Sequence, residues 1–144
     1  MEAQHRTVSG TLHMEISDKA ETEKTTTHFT GDFFRRNNMD VITFKEKNDD
    51  LLIKNLITIH EDKVSIKRSG DITMHQKFHV NQKTENVFKH PHVNIQMETY
   101  TQKLGYQAPT GNDQGKLTIA FTVKLNGQDE RNHQLTLLIK EDPK

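Results

Sequence analysis

The chain contains no cysteine. A disulfide framework and thiolate metal sites are therefore excluded, and a reducing compartment is compatible. It also lacks an excess of either charge: 20 basic residues balance 20 acidic ones, and the formal net charge is zero. Nucleic-acid binding rests on phosphate neutralisation, so a mainly electrostatic partner of that kind is disfavoured. No apolar run approaches the roughly 20 residues that span a bilayer. Met1 to Thr7 has no apolar stretch of the kind a signal peptide carries. The expectation is a cytoplasmic protein with no membrane partner. Apolar residues are few, at 31 %. Such scarcity can mean disorder, but disorder usually comes with net charge and without periodicity. Here the apolar residues stand in register.

The stretch from Val64 to Val80, VSIKRSGDITMHQKFHV, carries that register most clearly. Every odd position is polar, and most even positions are apolar. A period of two means a strand with one face buried and the other in water. Arg68 and Gln76 interrupt the apolar face. A single straight strand of this length would span roughly 55 Å, too far for a domain with a radius of gyration near about 15 Å. The stretch must therefore reverse or bend. A two-residue turn at Gly70-Asp71 would set an apolar face against a polar one, which register forbids. A three-residue turn, Ser69 to Asp71, pairs Arg68 with Ile72, Ile66 with Met74 and Val64 with Gln76. A strand bent at Gly70 would also keep parity. The hairpin is the preferred reading.

The rest of the chain repeats the pattern. Val8 to Ile16 alternates as a strand, and Ser17 to Lys24 is a charged connector without an apolar stripe. Thr25 to Arg36 sets Phe29, Gly31 and Phe33 on one face. Asn37-Asn38 and Asn48 to Asp50 are turn signals. Asp40 to Glu46 puts Ile42 and Phe44 on one face, and Leu51 to His60 does so with Ile53, Asn55, Ile57 and Ile59. Asn81 to Lys89 reads as a weak strand or loop, and His90-Pro91-His92 breaks the ladder. Val93 to about Leu104 is a strand, and Gly105 to Gly115 a flexible loop within the domain. Leu117 to Leu125 and Arg131 to Lys140 complete the set. Between these two, parity favours a five-residue loop, Asn126 to Glu130, which sets Leu125 opposite Arg131 and Phe121 opposite Leu135.

No segment shows a 3.6-residue stripe. Eight to ten short strands in one domain of 144 residues indicate an all-β fold. Short sequential connections favour a single antiparallel up-and-down β-barrel, which also removes exposed edges.

Several runs resemble the YwiB-like family of small bacterial proteins. They are Val64-x-Ile66-x-Arg68-x-Gly70-x-x-x-Met74-x-x-x-Phe78, the later Thr99-x-Thr101, and Gly115-Lys116-Leu117-x-Ile119-x-Phe121. The resemblance covers most of the chain, from about residue 8 to 140. It implies a lipocalin-like (calycin) barrel whose interior is available to a ligand, and no established activity. Where that family commonly carries a Thr-Pro-x-Gly turn, this chain reads His90-Pro91-His92-Val93, without the glycine. A fold does not by itself fix a function.

The chemistry-bearing residues are weighed against their ordinary roles. His75 and His79 stand roughly 13 Å apart on a strand and cannot share a metal ion. His90 and His92 have no acidic or cysteine company, so all these histidines read as solvated. No serine elbow or triad is assignable. The carboxylate pairs Asp49-Asp50 and Glu61-Asp62 fall in turns. The expectation is a non-enzyme with no metal and no cofactor. Lys67, Lys77, Lys83 and Lys89 are interrupted by Asp71 and Glu85, and Tyr100 is the only outward aromatic on its strand. That is too little for a nucleic-acid face.

Arg68 is the sharper signal, because an unpaired buried guanidinium is costly and needs a partner. In one reading Arg68, with Gln76 and Asn55, binds the anionic end of a small apolar or amphipathic ligand in the barrel. In the other it is structural, at one barrel end, with Asp40 and Glu46 the candidate acids. Two functions follow: a small-molecule-binding barrel, or an interaction or structural module whose barrel is filled.

Overall fold

The computed structural model describes residues 5–142. They form β1 (Arg6–Ser17), β2 (Thr22–Arg36), β3 (Met39–Asn48), β4 (Leu51–Ile59), β5 (Lys63–Gly70), β6 (Met74–His79), β7 (Lys83–His90), β8 (Val93–Gln107), β9 (Gly115–Leu125) and β10 (Arg131–Glu141). All ladders are antiparallel, in the order β6-β5-β4-β3-β2-β1-β10-β9-β8-β7. Each strand therefore neighbours its successor in this order except β6, which meets β7 only across the seam. The first and last strands, β1 and β10, pair in the middle of the sheet, from Val8↔Glu141 to Ser17↔Asn132. The outermost strands, β6 and β7, curl together to close the barrel.

That closure is sparse. Thr73 and Lys89 exchange both backbone bonds, at 2.9 and 2.7 Å, and Asn81 N donates to Thr101 O at 2.8 Å. The Thr84 hydroxyl donates to Lys77 O at 2.7 Å, substituting for a ladder bond. The result is a nearly closed ten-stranded up-and-down barrel, as the parity of the sequence implies.

Turn chemistry sets the short hairpins. Asn37 and Asn38 have φ of 52° and 65°, and Asp49 and Asp50 have 49° and 69°. Two consecutive left-handed residues make a turn whose twist matches the flanking strands, and Asn and Asp tolerate that conformation best. The β7–β8 hairpin turns at Pro91-His92 with His90 opposite Val93, so the missing glycine does not prevent the turn.

Three expectations need correction. The Arg68 hairpin exists, but Arg68 pairs with Met74, Ile66 with Gln76 and Val64 with Phe78. Its loop is longer by two residues because Ser69 and Gly70 stay in the β4 ladder and Thr73 goes to Lys89. Gly70, at φ +107°, allows the departure. Likewise Arg131 pairs with Val123 and Leu135 with Ile119, again two residues from the expected register, because Leu125 is held by Met97. Of the two readings of residues 81–89, the strand holds, since β7 runs from Lys83 to His90. The loop expected from Gly105 is shorter, since Gly105, Tyr106 and Gln107 pair with Thr118, Leu117 and Lys116. A bulge between Thr101 and Lys103 makes this possible by moving the inward phase from odd to even residues.

The inward faces fill the barrel. Phe29, Phe44, Ile57, Phe78, Phe121 and Leu137 belong to one continuous buried cluster. Ile72, Met74, Gln76 and Phe78 are buried while Lys67, Thr73, His75 and Lys77 are exposed, as alternation requires. Phe29 stacks on Phe44 at 3.9 Å between centroids, and Phe78 meets Phe121 edge-on at 4.8 Å. Gly10 makes room for this packing, since a Cβ there would lie 2.1 Å from Phe29 Cζ.

Candidate functional site

The three candidate ligand residues all face inward, and each has a partner within the protein. Arg68 Nη2 donates to Glu46 Oε1 at 2.7 Å, and Asn55 Nδ2 donates to the same oxygen at 3.0 Å. Asn55 and Arg68 are direct cross-strand neighbours, and Glu46 lies one strand further on. The guanidinium thus reaches over β4 to β3. Its side chain keeps 25 % of its exposure and that of Glu46 18 %, so the cluster sits at the rim rather than in the dry interior. A carboxylate accepting two donors in such a place is well satisfied.

Gln76 does not join them. It is buried, and its Nε2 donates to the hydroxyl of Thr99 at 2.8 Å. That bond passes beneath β7 from β6 to β8 and supports the sparse closure from inside. The Thr101 hydroxyl next along β8 is fully buried and has no hydrogen-bond partner.

A second polar cluster, which the sequence reading did not assemble, centres on Asp40. Arg35 Nε and Nη2 donate to its two oxygens at 2.7 and 3.2 Å, and Tyr106 Oη donates to Oδ2 at 2.5 Å. Asp40 is only 3 % exposed. Tyr106 arrives from the opposite wall of the barrel, and burial together with the Asp40 carboxylate pushes its hydroxyl pKa upward. Only the bulge turns Tyr106 inward, so strict alternation could not have found it. On β10, His133 stacks on Phe121 at 5.0 Å. Burial, assisted by Arg131, lowers its pKa from 6.5 to about 4. It is therefore a neutral imidazole at pH 7.

The inward carboxylates Asp40 and Glu46 are engaged by arginine, tyrosine or amide donors, and the hydroxyl–imidazole pairs, Thr26 with His13 at 2.9 Å and Thr11 with His28 at 3.3 Å, are exposed. Among the described residues, no three His, Asp or Glu side chains are grouped closely enough to hold a metal ion. Among the described residues, no helix is long and apolar enough to cross a membrane.

The outer surface is less uniform. β2 and β3 are bonded only where Asp32 to Arg36 meets Thr43 to Met39. Beyond that point β2 stays with β1 and β3 with β4. A groove of about 500 Å³ opens at the divergence, lined by Thr30, Asp32, Thr43, Lys54, Leu56 and Lys67 among others.

Comparison with known proteins agrees with this architecture. The chain is 24% identical over 129 residues to the uncharacterized β-barrel protein YwiB of Bacillus subtilis (strain 168), spanning 88% of this chain and 89% of that one. The crystal structure of the ywiB protein from Bacillus subtilis superposes with a TM-score of 0.86 at 19% identity, covering 96% of this chain and 94% of that chain. At such identity the structural match speaks for the fold. Residues 11–137 match the model of one family, and the chain accordingly belongs to the DUF1934 family, described as a domain of unknown function.

Proposed function

We propose that the protein is a non-enzymatic interaction module that works through the outer surface of a side-chain-filled barrel. The observation that carries this reading is the engagement of Glu46. Its carboxylate takes both Arg68 and Asn55, so the inward cation that invited a ligand is already neutralised. The third candidate, Gln76, is likewise spent on Thr99. The continuous apolar cluster across the barrel argues the same way, because eight- to ten-stranded barrels either fill with side chains or hold a ligand.

The competing reading is a small apolar or amphipathic ligand inside the barrel, and titration with the neutral probe N-phenyl-1-naphthylamine separates the two. We expect no saturable rise in fluorescence on the folded protein. A saturable rise that Gln76→Leu or Arg68→Met abolishes would overturn the proposal and restore the interior as a binding site.

A further inference from the structure

The outward positions of β3 to β6 carry charge of one sign. Lys45, Lys47, Lys54, Lys63, Lys67 and Lys77 all point outward and are exposed. No carboxylate occupies an outward position on these four strands. The nearby acids, such as Asp49, Asp50, Asp62 and Asp71, lie in turns at the strand ends, and Asp71 is held by the Leu52 N–H at 2.7 Å. Among the described residues, none of these lysines has a carboxylate within 4.0 Å. The neutral total of the chain thus hides a separation of charge.

Two details show that the arrangement is not a simply solvated face. Lys45 and Lys54 are direct cross-strand partners, and like charges so placed destabilise a sheet. Leu52 and Leu56 flank Lys54 on the same strand face and remain 62% and 37% exposed. His75, opposite Lys67, feels the same field: burial, Lys77 and Lys67 all lower its pKa. The groove between β2 and β3 opens onto this face, with Leu56 and three of the lysines, Lys45, Lys54 and Lys67, in its wall.

We infer that this groove and the lysine face around it dock an extended acidic polypeptide segment, with carboxylates on Lys45, Lys54 and Lys67 and an apolar side chain against Leu56. The inference rests on the interaction-module reading and names its partner class. An apolar centre within a charged rim is the anatomy of a protein interface, and charge complementarity supplies steering and specificity. A nucleic acid fits less well, because the outward positions of β3 to β6 offer no Phe, Tyr or Trp for bases to stack on. A bilayer fits less well too, since Leu56 lines a concavity that it shares with the carboxylate-bearing Asp32.

The test is fluorescence anisotropy on the full chain with a labelled peptide of Glu-Glu-Leu repeats. Its lysine counterpart, oligothymidylate and phosphatidylglycerol-containing vesicles serve as alternatives. The acidic peptide should bind saturably and weaken as salt rises. The triple reversal Lys45→Glu, Lys54→Glu and Lys67→Glu should reduce affinity by about tenfold or more. Lys116→Glu with Lys124→Glu on β9 should leave it unchanged. If the reversed variant does not fold, replacing the same three lysines with glutamine removes the charge without inverting it and should still weaken binding. No saturable binding of the acidic peptide, or equal loss in both reversals, would overturn the docking site. Tighter binding of oligothymidylate or vesicles, abolished by the triple reversal, would overturn the partner class and leave the surface-module reading standing. Failure of that broader reading has a different signature, saturable entry of the neutral naphthyl probe into the barrel.

Discussion

Arg68 and Glu46 meet at 2.7 Å although a whole strand, β4, separates the strands that carry them. The pair closes the rim over Asn55 and ties three strands with one carboxylate. Arg68→Met should therefore lower stability by about 1–3 kcal/mol, less than a fully buried pair because both side chains keep some solvent. Glu46→Gln with Arg68→Met should recover part of the loss, since the second change removes the stranded charge. Urea denaturation of the parent and the two variants checks this. An unchanged midpoint for Arg68→Met would show that the ion pair is not structural.

Gln76 and Thr99 provide a cleaner cycle because both are buried. Gln76→Leu should cost about 1–3 kcal/mol by leaving the Thr99 hydroxyl without its partner. Thr99→Val should cost a similar amount. The double variant should be more stable than the sum of the two losses implies, as replacing both partners by apolar groups is nearly neutral. Strict additivity in denaturation midpoints would contradict the bond.

Gly10 is where the barrel wall must accept the Phe29 ring. Gly10→Ala should destabilise by about 1–3 kcal/mol through overpacking, since Phe29 is pinned on Phe44 and cannot retreat freely. Adding Phe29→Leu should return part of that stability. Thermal unfolding of the single and double variants reads the difference.

His133 gives the fold a pH dependence. Its pKa falls from 6.5 to about 4 on burial. Above pH 6.5 neither the folded nor the unfolded chain protonates it, and its contribution is flat. Between 6.5 and about 4 the unfolded chain takes up the proton and the folded one does not, so stability is lost as pH falls through that window. The loss attributable to this residue should be on the order of 1–3 kcal/mol, reduced by its partial exposure. His133→Gln should flatten the slope there, measured as denaturation midpoint against pH. An identical slope in both proteins would contradict the buried neutral imidazole.

Alternation made the barrel legible and also shows where reading by alternation stops. It fixes which face a residue takes, and Met74, Gln76 and Phe78 are buried accordingly. It fixes register only to within two residues, since a shift of two keeps every side chain on its face. The register that parity predicts for both hairpins is off by that amount, because loop residues find partners on third strands, Thr73 with Lys89 and Leu125 with Met97. The bulge after Thr101 is likewise silent in the sequence and hides the inward turn of Tyr106. The lysine face was half visible. Along the chain Lys67 and Lys77 neighbour Lys83 and Lys89, whereas in space their face includes Lys54 and Lys45. Strand order is needed to see that Asp71 and Glu85 do not interrupt the face.

The adjacency of β1 and β10 has a kinetic corollary. Pairing Val8 with Glu141 and Ser9 with Lys140 brings the start of β1 and the end of β10 together within one ladder. Every other long ladder joins consecutive strands and can form from a nearby turn. Docking the β1–β6 meander onto the β7–β10 meander therefore carries the largest loop-closure entropy in the molecule, and it sets the expected slow step. A circular permutant joined at the old ends and reopened between Val80 and Gln82 would turn that ladder into a local hairpin. Such a chain should refold faster than the parent in stopped-flow experiments, while losing the tether that holds the β6–β7 seam closed.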